Sequence, residues 1–178
     1  MQEVPDIIRP GLTILFIGFN PGIRSAETGH HFAGHSNRFW KLLHASGLTS
    51  RQLRPEEDKT LLSLGFGITN IVPRPTKAAA EITREEYRHG RIALTDKLAR
   101  YRPRIACYAG IGVYREFAAQ KDVVCGLQPI TVVPDVTDFV VPNPSGLNRM
   151  PFADQLRYYK ELERLAALPD SAAAPGKH

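Results

Sequence analysis

Short apolar runs separated by amphipathic stretches set the pattern of the chain. Residues 12–18, LTILFIG, are apolar and β-branched and stop at Gly18, as a strand buried on both faces does. Similar runs predict strands at Phe66–Val72, Ile105–Ala109, Ile130–Val133 and Asp138–Val141, the last two as antiparallel or edge candidates. Between them the apolar spacing becomes helical. Ser36 is placed to cap a helix carrying Phe39, Trp40, Leu42 and Leu43, and Pro55 with Glu56, Glu57 and Asp58 reads as the acidic first turn of another. A third helix is expected from Thr83 to Arg100, short of Pro103, and two more over Val113–Ala119 and Phe152–Leu168.

Strands alternating with helices predict an α/β fold: a single-domain three-layer sandwich with a mostly parallel central sheet flanked by helices. The domain is expected over residues 1–168, with 169–178, PDSAAAPGKH, as a flexible tail that has little to pack. Ligands of such sheets bind beyond the carboxyl ends of the strands. That rule singles out two loops rich in Gly, Pro, Asn and Ser, FNPGIRSAETGHHFAGHSN at 19–37 and PNPSGLNRM at 142–150.

Composition narrows the partners. Among 178 residues, Lys and Arg total 23 against 18 Asp and Glu, a net charge of +5 that suits a polyanionic partner. Arg24, Arg38, Lys41, Arg74, Lys77 and Arg149 are candidates for a phosphate-facing rim. No apolar run approaches the ~18 residues of a membrane span, and the start MQEVPDIIRP has neither a basic leader nor a long apolar stretch, so a soluble, intracellular (cytoplasmic) protein without a membrane partner is expected. Cys107 and Cys125 read as buried free thiols rather than a disulfide framework. His30, His31 and His35 lack a companion cysteine or a Glu-flanked helical pair, so they read as polar loop residues and no metal is expected. Gly110-Ile111-Gly112 reads as a tight strand-to-helix turn, since the dinucleotide fingerprint is incomplete.

The turn Gly18-Phe19-Asn20-Pro21-Gly22 sets a short polar side chain and free backbone N–H groups at a sheet mouth, where they can hold water or an anion or simply supply turn geometry. Asn143-Pro144-Ser145-Gly146 repeats the arrangement at a second strand. Leu147, Asn148 and Arg149 then place an apolar side chain beside a cation. That pairing suits a wedge between stacked bases with arginine near phosphate, or an ordinary solvated loop.

Together GFNPG at 18–22, SAETGHHFAGHSNRFW at 25–40, GITNIVPRPT at 67–76 and NPSGLNR at 143–149 resemble the mismatch-specific uracil/thymine DNA glycosylase family, a branch of the uracil-DNA glycosylase superfamily. The motifs occur in order over residues 9–165, with 143 − 20 = 123 positions between the two asparagines. The resemblance implies hydrolysis of the N-glycosidic bond of uracil, of thymine mispaired with guanine, or of etheno-modified cytosine. It implies Asn20 as the residue positioning the attacking water, Asn143 near base and sugar, and Phe32 as the aromatic stacked on the flipped base. Phe19 and Phe32 would offer backbone groups to the base edge, and Ser25 would line the pocket near the pyrimidine C5 position. Ser145 and Gly146 would approach DNA, Leu147 and Arg149 would form the wedge, and Gly146 with Asn148 would meet the guanine left behind. HHFAG around Phe32, and Glu27 in place of a small residue, depart from the family pattern.

An amide cannot take a proton from water as a carboxylate can, so Asn20 would orient water and turnover would be slow. Glu27 and Asp96 are therefore candidate auxiliary carboxylates. Neither asparagine motif holds a lysine for a Schiff base, which predicts a monofunctional enzyme without cofactor. The expected partner is double-stranded DNA with G·U, G·T or related lesions, bound by a monomer. A lesion-binding base flipper with negligible hydrolysis and a small-nucleotide-binding α/β domain are the alternatives.

Overall fold

The computed structural model describes residues 1–170. Five strands form one sheet in the order β2-β1-β3-β5-β4: β1 (Ile14–Gly18), β2 (Phe66–Asn70), β3 (Ile105–Ala109), β4 (Gly126–Leu127) and β5 (Thr137–Val141). The pairs β1·β2, β1·β3 and β3·β5 are parallel and β4 runs antiparallel to β5. Every residue of β1 and β3 is buried, because strands flank them on both sides and helices cover both faces.

The pleat divides β1 between two cores. Leu15 and Ile17 join Tyr108, Val140, Leu94 and Leu98 of α3 (Arg84–Tyr101), and Val113, Tyr114 and Phe117 of α4 (Ile111–Ala118). Ile14 and Phe16 join Phe139, Phe39 and Leu42 of α2 (Phe39–Ala45), and Tyr159 and Leu162 of α5 (Phe152–Ala167). A short α1 (Ile23–Thr28) follows the first loop, and Pro55–Leu64 winds as a 3-10 helix. The three-layer α/β reading holds. Of the expected tail, 171–178 lie outside the described residues.

Three expectations change. Ile130–Val133 is not a strand: the single Tyr114 hydroxyl hydrogen is shared between Asp138 Oδ2 at 3.1 Å and Ile130 O at 3.3 Å, and Val132 N–H donates to Asp138 Oδ2 at 3.1 Å, so side chains take the groups a ladder would use. The antiparallel edge strand is β4, and β5 lies inside the sheet, parallel to β3. Ser36 does not cap α2; the Phe39 N–H donates instead to Asn37 Oδ1 at 2.9 Å. The third helix begins one residue after Thr83, which caps it, its hydroxyl accepting Glu86 N–H while the Glu86 carboxylate accepts Thr83 N–H at 2.8 Å.

The chain enters the sheet at β1, fills one side with β2 and crosses to β3 on the other, so the strand order reverses beside β1. Crevices open at the carboxyl ends of strands at such a reversal.

Candidate active site

A cleft of about 290 Å³ lies at that point. Its walls come from the first loop, from Asn70 at the end of β2, Ala109 at the end of β3, and Asn143 and Ser145 beyond β5. The β1·β2 pairing continues past the strands: Ile71 N–H donates to Gly18 O at 3.0 Å, Val72 N–H to Phe19 O at 2.9 Å and Thr76 N–H to Pro21 O at 3.2 Å. Asn20 therefore rides on a backbone ribbon rather than a free loop.

The Asn20 amide has one possible sense. Its Nδ2 donates to Arg74 O at 2.7 Å and to Thr76 Oγ1 at 2.8 Å, and Thr76 donates its own hydroxyl hydrogen to Ala78 O at 2.8 Å. A carbonyl and a hydroxyl already spent as donor can only accept, so nitrogen must face them and Oδ1 is left as a free acceptor. Among the described residues the one buried, unpartnered side-chain polar atom is Gln155 Oε1, so Asn20 Oδ1 is open to solvent in the cleft. Asn143 is held in the opposite sense. Its Oδ1 accepts Ser145 N–H at 2.9 Å, which leaves Nδ2 as a donor.

Phe32 adopts φ 51°, in the left-handed region, and stacks on Phe39 with ring centroids 4.0 Å apart and 23° between planes. One face is covered and the ring borders the cleft. The segment before it is anchored throughout: His31 N–H donates to Asp58 Oδ2 at 3.1 Å, Trp40 Nε1 donates to His31 O at 3.2 Å, and His31 Nε2 lies 2.8 Å from Pro5 O. Burial holds the His31 imidazole below its usual pKa, so it is neutral near pH 7. Ser25 is buried at the wall, its Oγ accepting Ala33 N–H at 3.1 Å. Phe19 lines the cleft, and its ring sits over Gly112 and edges Tyr87 at 6.3 Å.

No carboxylate lines the cleft among the described residues. Glu27 is exposed and 3.9 Å from Arg24, and Asp96 is exposed on α3, so the candidate auxiliary carboxylates are not brought to Asn20. No group of three His, Cys, Asp or Glu that could hold a metal ion occurs among the described residues, and no helix there is long and apolar enough to cross a membrane.

On the rim, Leu147 is 89% exposed and Gly146 and Arg149 are exposed beside it. Asn148 differs from its expected part. Its Nδ2 donates to Asn143 O at 2.9 Å and its Oδ1 accepts Met150 N–H at 3.0 Å, so its side chain shapes the loop.

Sequence reasoning passed over Thr76, Asn70 and Asn37. Asn70 ends β2 in the cleft, and a Cβ on Gly18 would lie 2.7 Å from Asn70 Oδ1, so the glycine makes room for that amide. The signal was available, because Asn70 and Thr76 both fall in GITNIVPRPT at 67–76.

A family model described as the uracil DNA glycosylase superfamily matches residues 5–166. The chain belongs to that superfamily. Hydrolytic DNA glycosylase activity, with DNA as partner, is what membership supports. A solution NMR structure of a Methanosarcina acetivorans protein, named as a candidate uracil DNA glycosylase, is similar in fold with TM-score 0.60 at 17% identity. The match covers 93% of this chain and 97% of that one.

Proposed function

We propose that this superfamily member is a monofunctional, mismatch-directed glycosylase that rotates uracil, mispaired thymine or etheno-modified cytosine out of duplex DNA and hydrolyses its N-glycosidic bond, opening base excision repair. The observation that carries the reading is the Asn20 amide, clamped so that only its oxygen faces a cleft without carboxylates.

A base inside a duplex hides its sugar carbon from water, so it must be extruded at a cost of about a few kcal/mol, less at a mismatch. Leu147 fills the gap and Arg149 lies beside it for phosphate or the opposite strand. The extruded base stacks on the open face of Phe32. Water held by Asn20 Oδ1 attacks the anomeric carbon as the C–N bond breaks and the base leaves as an anion; the proton the water sheds passes to solvent, from which the released base is protonated. Asn143 Nδ2 supplies an N–H donor for that anion, and the phosphates favour the cationic sugar. Without a proton acceptor beside the water, the rate depends on the leaving group, which favours uracil and etheno-modified cytosine over thymine.

Single-turnover release of base from U·G, U·A, T·G and ethenocytosine·G duplexes tests the reading. Wild type is expected to release uracil from U·G fastest, and Asn20→Ala to lose about 100-fold or more. Glu27→Gln and Asp96→Asn are expected to keep the wild-type rate. Retardation of U·G duplex with the base still attached would replace the enzyme by a lesion binder.

A further inference from the structure

We infer that Arg38 is a positioning residue for the wedge: it fastens the tip of the 143–149 loop to the turn beside the stacking aromatic, so that Leu147 enters the duplex in fixed register with the base pocket. The inference rests on the functional reading above and concerns how its wedge is held.

The loop is bonded to itself. Ser145 N–H donates to Asn143 Oδ1 at 2.9 Å, Leu147 N–H to Ser145 Oγ at 3.2 Å and Asn148 N–H to Ser145 O at 3.0 Å. Its feet are tied to α5, where Tyr159 Oη donates to Pro142 O at 3.2 Å and Gln155 Nε2 to Met150 O at 2.9 Å. Between the feet, the hydrogen bonds from 144–148 to another part of the fold both come from Arg38, among the described residues. Its N–H donates to Pro144 O at 2.8 Å and its Nη1 to Asn148 O at 3.0 Å, on either side of Leu147. The two surfaces also meet without room for a side chain: a Cβ on Gly146 would lie 2.3 Å from Ser36 Oγ and 2.9 Å from Ser36 O.

The other side of Arg38 leads to the base. Phe39, the next residue, begins α2 and is the ring on which Phe32 stacks. Stacking platform and wedge are thus joined through one residue, whose guanidinium is engaged with a peptide carbonyl and is half-buried. A loosely held loop would let Leu147 sample many positions, and the lost orientation would appear in the rate of forming the extruded state rather than in affinity for undamaged DNA.

A double-mutant cycle on U·G duplex tests this by single-turnover base release from wild type, Arg38→Ala, Leu147→Ala and the double variant. Arg38→Ala, which removes the Nη1 bond to Asn148 O and keeps the backbone N–H bond to Pro144 O, is expected to slow release about tenfold alone, and by less than about twofold when Leu147 is already Ala, because nothing remains to be positioned. Gly146→Ala, which forces the loop off Ser36 while leaving Arg38 intact, is expected to do the same and carries the test should Arg38→Ala not fold. The salt slope of binding to undamaged duplex is expected to be unchanged by Arg38→Ala. Costs that multiply in the double variants, no slowing by either variant, or a slope reduced by about 0.9, the signature of one lost phosphate contact, would overturn the inference. A wild type that releases no base would instead remove the functional reading on which it rests.

Discussion

The Asn20 side-chain nitrogen donates to Thr76 Oγ1 at 2.8 Å across the extension of the β1·β2 pairing, and that hydroxyl donates onward to Ala78 O at 2.8 Å. The relay removes the two-fold ambiguity of an amide, since a hydroxyl with its hydrogen spent cannot donate back to an amide oxygen. Thr76→Val keeps the shape and removes the acceptor. It is expected to slow single-turnover base release about 5- to 30-fold, equivalent to ~1–2 kcal/mol, with Thr76→Ser restoring most of the loss.

Leu147 has almost no folded-state role, being 89% exposed. Its truncation should therefore leave thermal stability unchanged, because almost no apolar contact is lost from the protein. In the complex the same side chain would exchange water for base faces, worth about 1.5–3 kcal/mol when fully buried. Leu147→Ala is expected to slow duplex base release by about tenfold to a hundredfold at an unchanged Tm, as calorimetry beside single-turnover kinetics would show. A fall in Tm with no change in rate would make Leu147 a structural residue.

The strands that could be read from sequence are those whose burial is set by their own side chains. Ile105–Ala109 is found with its expected bounds because apolar runs flanked by turns carry that information locally. Ile130–Val133 was misread because its backbone groups are taken by Tyr114 and Asp138, partners set by the fold. The same division runs through the site. Asn20, Phe32 and Asn143 stand in motifs, whereas Thr76 acquires its part only when the parallel pairing sets it beside Asn20, 56 positions away. Glu27 and Asp96 look alike as candidates in sequence, and only their place in the fold, outside the lining of the cleft, separates both from the site.

Part of the cationic rim does share a face. A second cleft of about 550 Å³ shares Arg24, Phe32 and Gly34 with the first, and Lys41 and Arg54 line it opposite one carboxylate, Glu56, while the Arg38 guanidinium at its edge is turned to Asn148 O. Arg74 lies elsewhere, its Nε and Nη2 engaged by Glu86 at 2.5 and 3.0 Å. That hydrogen bonding, with the Thr83 N–H, holds the Glu86 carboxyl down at about 2. Lys41→Ala and Arg54→Ala are each expected to reduce the slope of log affinity against log salt for undamaged duplex by about 0.9, and Arg74→Ala to leave it unchanged. Equal slopes in all variants would place the DNA backbone on another face.

Buried Asp138 gives the fold an unusual pH response. Its carboxylate accepts Tyr108 Oη at 3.3 Å, Tyr114 Oη at 3.1 Å and Val132 N–H at 3.1 Å, with 1% of the residue exposed. Burial outweighs these three hydrogen bonds and raises its pKa above the usual carboxylate value. Between the unfolded value near 3.8 and the higher folded one, the native state binds more protons than the unfolded chain. This site therefore makes stability fall as pH rises through that window, the reverse of a salt-bridged aspartate. Asp138→Asn removes the titration but sets an N–H₂ where donors converge, so it is expected to cost about 1–3 kcal/mol near pH 7 and more as pH falls, because only the wild type gains stability by taking up the proton. Urea denaturation of both proteins from pH 7 down to pH 4 measures the difference. A difference that stays constant or shrinks toward low pH would show that Asp138 titrates at or below its unfolded value.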